Sequence, residues 1–375
     1  MHRKRVIAFA LTFVAFAVNE ATADDMGGDT TDEASHEHHQ HHEDQPKEGD
    51  SADTAARHSG HAHHAVSEPI GVMGAHMHPK GGFMFSYRYS RMRMDGNRDE
   101  TSKVSLDEIL LPDGSYMVSP TDMDMQMHMF GAMYAPADWV TLMAMIPYVE
   151  LSMDHHMANQ NRFETNSKGV GDLRLSGLFK LFESGRHRAH LNLGLSFPTG
   201  GIGHKDQVPV PGQGFRNKRL PYPMQIGSGT WDMLPGATYT GSSDWLGWGA
   251  QVIGTVRFGE NRHDYRLGHR ADATAWITLP VLDWLDLSAR FVYAYWGNIE
   301  GADDGLNPNA VPTADPDLRK GQRIDLLAGL SVKLPWDRFG EHRFGVEAGG
   351  PPWQKLDGPQ LGSKWRVVAG WQLTF

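Results

Sequence analysis

Apolar and polar side chains alternate with a period of two over most of the chain after Gly82, and nothing else restricts its fold as strongly. In LRLSGLFKLF, Leu173, Leu175, Phe179 and Leu181 share one face while Arg174, Ser176 and Lys180 share the other. In HLNLGLSF, Leu191, Leu193, Leu195 and Phe197 oppose His190, Asn192, Gly194 and Ser196. The same pattern returns in RIDLLAGLSVKL and in the terminal WRVVAGWQLTF. Successive side chains of a strand point to opposite faces, so these are strands with one greasy and one polar side. Twelve such segments can be marked, at 82–94, 123–135, 139–153, 169–182, 187–198, 230–241, 245–258, 266–279, 284–297, 321–334, 342–350 and 364–375. Most reach the roughly 9–11 residues with which a tilted strand crosses a bilayer.

The connections sort into two classes. Those at 136–138, 183–186, 242–244, 280–283 and 335–341 are short. The intervening ones, at 95–122, 154–168, 199–229, 259–265, 298–320 and 351–363, are mostly long and polar. Short turns on one rim, long loops on the other and an even strand count predict an all-β, antiparallel transmembrane barrel of about twelve strands. A soluble sandwich has no reason to alternate loop length in this way. Trp139, Trp245, Trp284 and Trp296 lie near strand ends, where interfacial girdles form. The last strand carries Trp365 and Trp371 and ends on Phe375. That ending resembles the C-terminal signal read by the barrel-assembly machinery, so the machinery and outer-membrane lipid are the implied partners.

The N-terminus points to export. MHRKR is a basic n-region, Val6 to Val18 an apolar h-region, and ATA a small-x-small cleavage site, so residues 1–23 read as a signal peptide. The chain has no cysteine, which excludes disulfides, thiolate metal sites and cysteine nucleophiles. Its net charge of −10 becomes −12 once the leader takes away three basic residues and one acidic one. Such a balance suits cations and not nucleic acid. Residues 24–80 show no periodicity, are rich in His, Asp, Glu, Gly, Ser and Ala and hold no Phe, Trp or Tyr, so a disordered, periplasmic arm is predicted there, followed by an outer-membrane barrel over 81–375.

With the strands placed, three stretches carry a family resemblance. VGDLRLSGLFKLF, LNLGLSFPTG and GSGTWDMLPGATYTG are similar to the outer-membrane family named for the meta-pathway of phenol degradation, through Gly169, Gly171, Asp172, Pro198, Gly200, Gly227, Gly229 and Asp232. The resemblance covers about 82–375 and implies a channel or transporter; the family name implies small aromatic or apolar cargo.

The histidines and methionines suggest something else. Eleven of 21 histidines fall within the arm: His36, His38, His39, His41, His42, His58, His61, His63, His64, His76 and His78. Many equivalent imidazoles without a fixed second shell favour exchangeable metal capture over catalysis; a pH-sensitive spacer is the plainer reading. Fifteen of 19 methionines fall between Met73 and Met157. Thioether with imidazole and no thiolate suits copper or another soft transition-metal ion, with no resident cofactor required. Alternation predicts that Met123, Met125, Met127 and Met129 face lipid while Asp124, Gln126 and His128 face the lumen. It also turns Met84, Met92 and Met94 inward with Ser86, Arg88 and Ser90, and Met143 and Met145 inward on the next segment. His128, Met143, Met145 and Asp124 thus form a candidate lumen metal site, with ordinary lumen filling as the rival. Further inward charges are Arg174, Lys180, Arg257, Arg270, Asp272, Asp286, Arg290, Arg323, Asp325, Lys333, Glu347 and Arg366, expected to pair into ladders; Asp172 and Asp325 read as structural. DHHM, from Asp154 to Met157, is a candidate external contact. No catalytic residue is nominated: there is no lipid-face Ser-His-amide trio, and GVGD has neither a P-loop lysine nor a βαβ setting. Three functions stay open: a copper-linked channel for small solutes, a channel for aromatic compounds, and a barrel-anchored metal sequesterer.

Overall fold

The computed structural model describes residues 67–210, 212–336 and 340–375. Its strands in chain order are β1 (Phe83–Glu100), β2 (Ser102–Val104), β3 (Val118–Ala137), β4 (Val140–Met157), β5 (Arg162–Val170) and β6 (Leu173–Ser184). Then come β7 (His187–Phe197), β8 (Lys205–Val210), β9 (Gly214–Arg219), β10 (Trp231–Ser242), β11 (Gly247–Phe258) and β12 (Tyr265–Arg266). The series ends with β13 (Arg270–Leu282), β14 (Leu285–Trp296), β15 (Glu300–Gly301), β16 (Gly321–Trp336) and β17 (Gly340–Thr374). No helix among the described residues is long and apolar enough to cross a membrane.

Eleven continuous strands pair antiparallel in the order β1-β3-β4-β6-β7-β10-β11-β13-β14-β16-β17, and β17 returns to β1, so the ring is closed. β5 continues the wall beside β4, and β2 folds back onto β1. At about 3.3 Å per residue the 35 residues of β17 would span about 115 Å if straight, far beyond any bilayer. Instead it doubles back. Residues 340–356 pair with β16 and residues 361–374 with β1. Gln354 and Ser363 bond across the bend at 3.0 and 3.1 Å. The wall therefore counts twelve staves, in keeping with the alternation. The seam is sealed where the Phe375 N–H donates to the Phe83 carbonyl at 2.8 Å. Closure leaves the eleven-strand ring without an unpaired edge, which is what lets strands lie in hydrocarbon.

The outward set is apolar where a bilayer would touch it. Leu142, Ile146, Leu175, Leu193, Leu287, Phe291, Leu326 and Leu330 are all exposed. At the short-turn rim Trp139, Trp245 and Trp284 are exposed by 61, 67 and 49 %. A soluble protein would not present such a belt. Trp296 departs from the expected girdle: it faces inward, with the Arg270 guanidinium 5.8 Å from its ring centre.

The three motif stretches converge on one carboxylate. Asp172, between β5 and β6, accepts the Gly200 N–H at 2.9 Å and the Ser228 N–H at 2.8 Å. Thr199 Oγ1 donates to the Gly171 carbonyl at 2.9 Å and accepts from the Leu173 N–H at 2.9 Å. Gly200 and Gly227 pack backbone to backbone; a Cβ on Gly200 would lie 2.6 Å from Gly227 Cα. Only glycine permits that approach. The motifs are thus a clasp joining three loops, which is the structural role foreseen for Asp172.

Candidate functional site

The closed wall encloses an interior, and the register decides what lines it. Arg91, Tyr89 and Tyr87 on β1 stand opposite Gln126, His128 and Phe130 on β3. These share one face with Tyr148, Glu150 and Ser152 on β4. Exposed Phe85 and Phe130 identify that face as the outer one. The expectation for β3 is therefore reversed. Asp124, Gln126 and His128 point outward, and Met123, Met125, Met127 and Met129 point into the lumen. The reason is length: β3 has 20 residues and a bilayer needs about half of them. Its lower half bears Phe130 and Tyr134 in the apolar belt. Its upper half stands in the polar zone, where Arg91 holds Asp124 at 2.9 Å and Arg93 pairs with Asp122. His128 Nδ1 is 2.8 Å from the Tyr87 hydroxyl, in an aromatic collar with Tyr89 and Tyr148.

The proposed group of His128, Asp124, Met143 and Met145 is thereby split across the wall. Met143 and Met145 do face inward, with Met145 buried, and His128 and Asp124 lie outside. In exchange, alternation on the three neighbouring strands brings eleven methionines to the lumen. Met84, Met92 and Met94 come from β1; Met123, Met125, Met127, Met129 and Met133 from β3; Met143, Met145 and Met153 from β4. At the upper end Met123, Leu151 and Met153 pack against Leu220 and Met224, carried by the loop between β9 and β10. At the lower end Met84 and Met133 pack with Met77 and Met143.

The opposite wall is ionic. Arg290 pairs with Glu347, both buried; Lys333 lies 2.9 Å from Asp286, and Arg257 3.6 Å from Asp232. Asp325 is held by Arg323 at 3.0 Å and Arg366 at 3.6 Å, and Arg270 lies 2.6 Å from Asp272. Arg174 also points inward from β6. The ladders expected from the sequence are present. Lys180 stands apart from them, at the short-turn rim, 2.8 Å from Glu183. Asp232, met in the sequence only as a motif residue, and Arg343 also belong to this wall, though neither was counted among the inward charges.

Residues 67–80, assigned by the sequence to the end of a periplasmic arm, lie inside the barrel. They occupy its short-turn half, held by side chains from around the ring. Arg88 Nε donates to the Ile70 carbonyl at 2.7 Å, Gln251 Nε2 to Met73 at 3.0 Å, and Arg343 to Glu68. His190 Nε2 is 3.0 Å from the Gly74 carbonyl, and the His78 N–H donates to Thr141 Oγ1 at 3.1 Å. Ile70, Val72 and Ala75 are buried. A Cβ on Gly71 would collide with the Arg290–Glu347 pair, 2.6 Å from Arg290 Nη2. Glu68 meets His76 at 3.3 Å and Arg343 at 3.9 Å. Burial alone would raise its carboxyl, but the His76 imidazole and the Arg343 guanidinium outweigh it and hold it down at about 2. Burial, assisted by His76, lowers the His78 imidazole to about 4, so it is neutral at physiological pH. A plug of this kind was not legible because it has no periodicity of its own.

The remaining metal candidates, His36, His38, His39, His41, His42, His58, His61, His63 and His64, lie outside the described residues, as does the leader. Among the described residues no three His, Asp or Glu side chains converge as a metal cluster. In DHHM, His155 points inward and is buried, whereas Asp154 faces outward and is exposed.

Known structures share this architecture. An outer-membrane channel from Pseudomonas putida F1 superposes with a TM-score of 0.56 at 13 % identity, over 82 % of this chain and all of that one. The chain has the closed β-barrel fold of an outer-membrane protein. A Pseudomonas aeruginosa FadL homologue (TM-score 0.36, 10 % identity, 79 % of this chain and 90 % of that one) and the Pseudomonas putida toluene transporter TodX (0.36, 10 %, 79 % and 90 %) lie further off. No family model matches the chain, the phenol-pathway family included, and no curated protein does.

Proposed function

We propose that the chain is an outer-membrane channel for small solutes, serving copper-type metal handling, with residues 67–80 as its resident plug. The observation that carries this is the inward methionine wall, continuous from the loop at Met224 to the plug at Met77. Thioethers are neutral, soft ligands that offer successive weak contacts to a soft cation without trapping it. The charges opposite are mostly held in ion pairs, with cations in excess of carboxylates, and the methionines are the face with soft-donor chemistry. On this reading the leader exports the chain, Phe375 is read by the assembly machinery, and the His-rich arm concentrates metal on the periplasmic side before it enters.

A second reading has support from the same wall. Eleven thioethers also make an apolar, adaptable surface, on which a small aromatic molecule would slide. The sequence resemblance and the words describing the TodX structure point that way for those relatives. Metal accumulation in cells lacking the chain, complemented by the full chain or by one lacking residues 24–66, separates the two. The copper reading requires cell copper to change on loss of the chain and to respond to the arm. Unchanged copper together with slowed toluene uptake would favour the aromatic reading. A barrel silent in planar bilayers, even without the plug, would leave it as an anchor.

A further inference from the structure

The methionine wall is not uniform, and its two ends share a geometry that lumen filling does not require. Near the long loops Met94, Met123 and Met153 are direct cross-strand partners on β1, β3 and β4. Near the short turns Met84, Met133 and Met143 are the same kind of triplet. Directly opposed residues place their Cβ atoms about 4.5–5.5 Å apart, so three flexible thioether arms reach a common point. Each triplet also meets a further methionine from outside the wall strands: Met224 above and Met77 below. Each has a buried histidine beside it. His155 is the next inward residue beyond Met153, 3 % exposed and stacked on Phe163 at 4.6 Å, with Nδ1 lacking a hydrogen-bond partner among the described residues. His78 follows Met77, is 6 % exposed, has Nε2 equally without a partner, and is tied to Thr141, the inward neighbour of Met143. Buried polar nitrogens without partners call for an explanation.

Filling would not select methionine here. Elsewhere on the inward face the buried apolar residues are Trp276, Val292, Leu327 and Val368, and Leu178 is the one non-methionine packed with the lower triplet. The only methionine on the wall strands from β6 to β17, Met233, is 38 % exposed and faces outward.

We infer that the two triplets are binding sites for a monovalent soft cation, Cu(I) or Ag(I), one at each end of the lumen. Three converging thioethers suit a d10 monovalent ion, whereas Zn(II) and Cu(II) prefer nitrogen and oxygen donors. The sites stand ten residues apart on β3, from Met123 to Met133, or about 33 Å along the strand. An entry site and an exit site, joined by Met125, Met127 and Met129, is the arrangement multi-site conduction needs. The inference deepens the copper reading and rests on it for its purpose, though the binding itself is measured separately.

The test uses the full chain in detergent and Ag(I) as probe, in chloride-free buffer. Bound silver is counted by equilibrium dialysis and its ligands read by X-ray absorption. The variants are Met94→Leu/Met123→Leu/Met153→Leu, Met84→Leu/Met133→Leu/Met143→Leu, and the single changes Met123→Leu and Met133→Leu. Leucine keeps volume and polarity, so folding is preserved at small cost; heat-modifiable gel migration checks it. Two sulfur-ligated ions per chain are expected, one lost with each triple variant, and each single change should weaken its own site at least tenfold. The histidines of residues 24–66 add only nitrogen-ligated silver. A sulfur signature that is absent, or unchanged when all six methionines are replaced, overturns the sites. Sites that bind while cell copper is indifferent to the chain would overturn the channel reading instead.

Discussion

Glu68→Gln is expected to loosen the plug, and the structure sets the size of the effect. The carboxylate is mostly buried, faces His76 and Arg343, and is held at about 2 against an ordinary 4.5. That difference is worth roughly 3 kcal/mol. Because the folded value is depressed, the contribution is fully present above about pH 4.5 and fades as pH falls toward 2. By pH 3 roughly 2 kcal/mol of it is gone. Glutamine keeps the shape and removes the charge, so the ratio of seated to released plug is expected to fall by up to roughly 100-fold at pH 7. Single-channel recording in planar bilayers reads this as the fraction of time open. Wild type at pH 3 should move most of the way toward the variant at pH 7. Equal open fractions for variant and wild type at pH 7, with wild type also indifferent to pH between 7 and 3, would refute the claim that this charge seats the plug.

Other expectations are more direct. Gly71→Val should unseat the plug by collision with Arg290 and Glu347, raising conductance at pH 7 without the acid dependence. With no native cysteine, Phe130→Cys should react with a lipid-partitioned maleimide in intact vesicles while Met129→Cys does not; the opposite pattern would restore the original face assignment. Glu347→Gln leaves Arg290 buried without its counter-charge and should cost about 3–5 kcal/mol in urea unfolding, most of it recovered by Arg290→Met in the same chain. Asp172→Ala orphans the Gly200 and Ser228 N–H groups, so it should cost about 2–4 kcal/mol and lower the temperature of the heat-modifiable gel shift.

Much of this molecule is written in period two. Alternation alone sorts Leu173, Leu175 and Phe179 from Arg174 and Ser176, spaces the staves, and places Arg290, Asp325 and Glu347 on the face that becomes the lumen. It determines which side chains travel together, because the pleat permits nothing else. It does not say which of the two sets turns inward when both are ambiguous. On β3, methionine opposes Asp, Gln and His, and only pairing with Arg91 and Tyr89 on β1 and Glu150 on β4 decides that the polar set faces out, above the apolar belt. The plug lies further beyond the reach of local sequence. Ser67 to Lys80 has no pattern of its own, and its order comes from Arg88, His190, Gln251 and Arg343, whose bonds to it exist only once the ring has closed. Faces are local and follow from the backbone; orientation and occupancy of the lumen are collective, and tertiary structure alone supplies them.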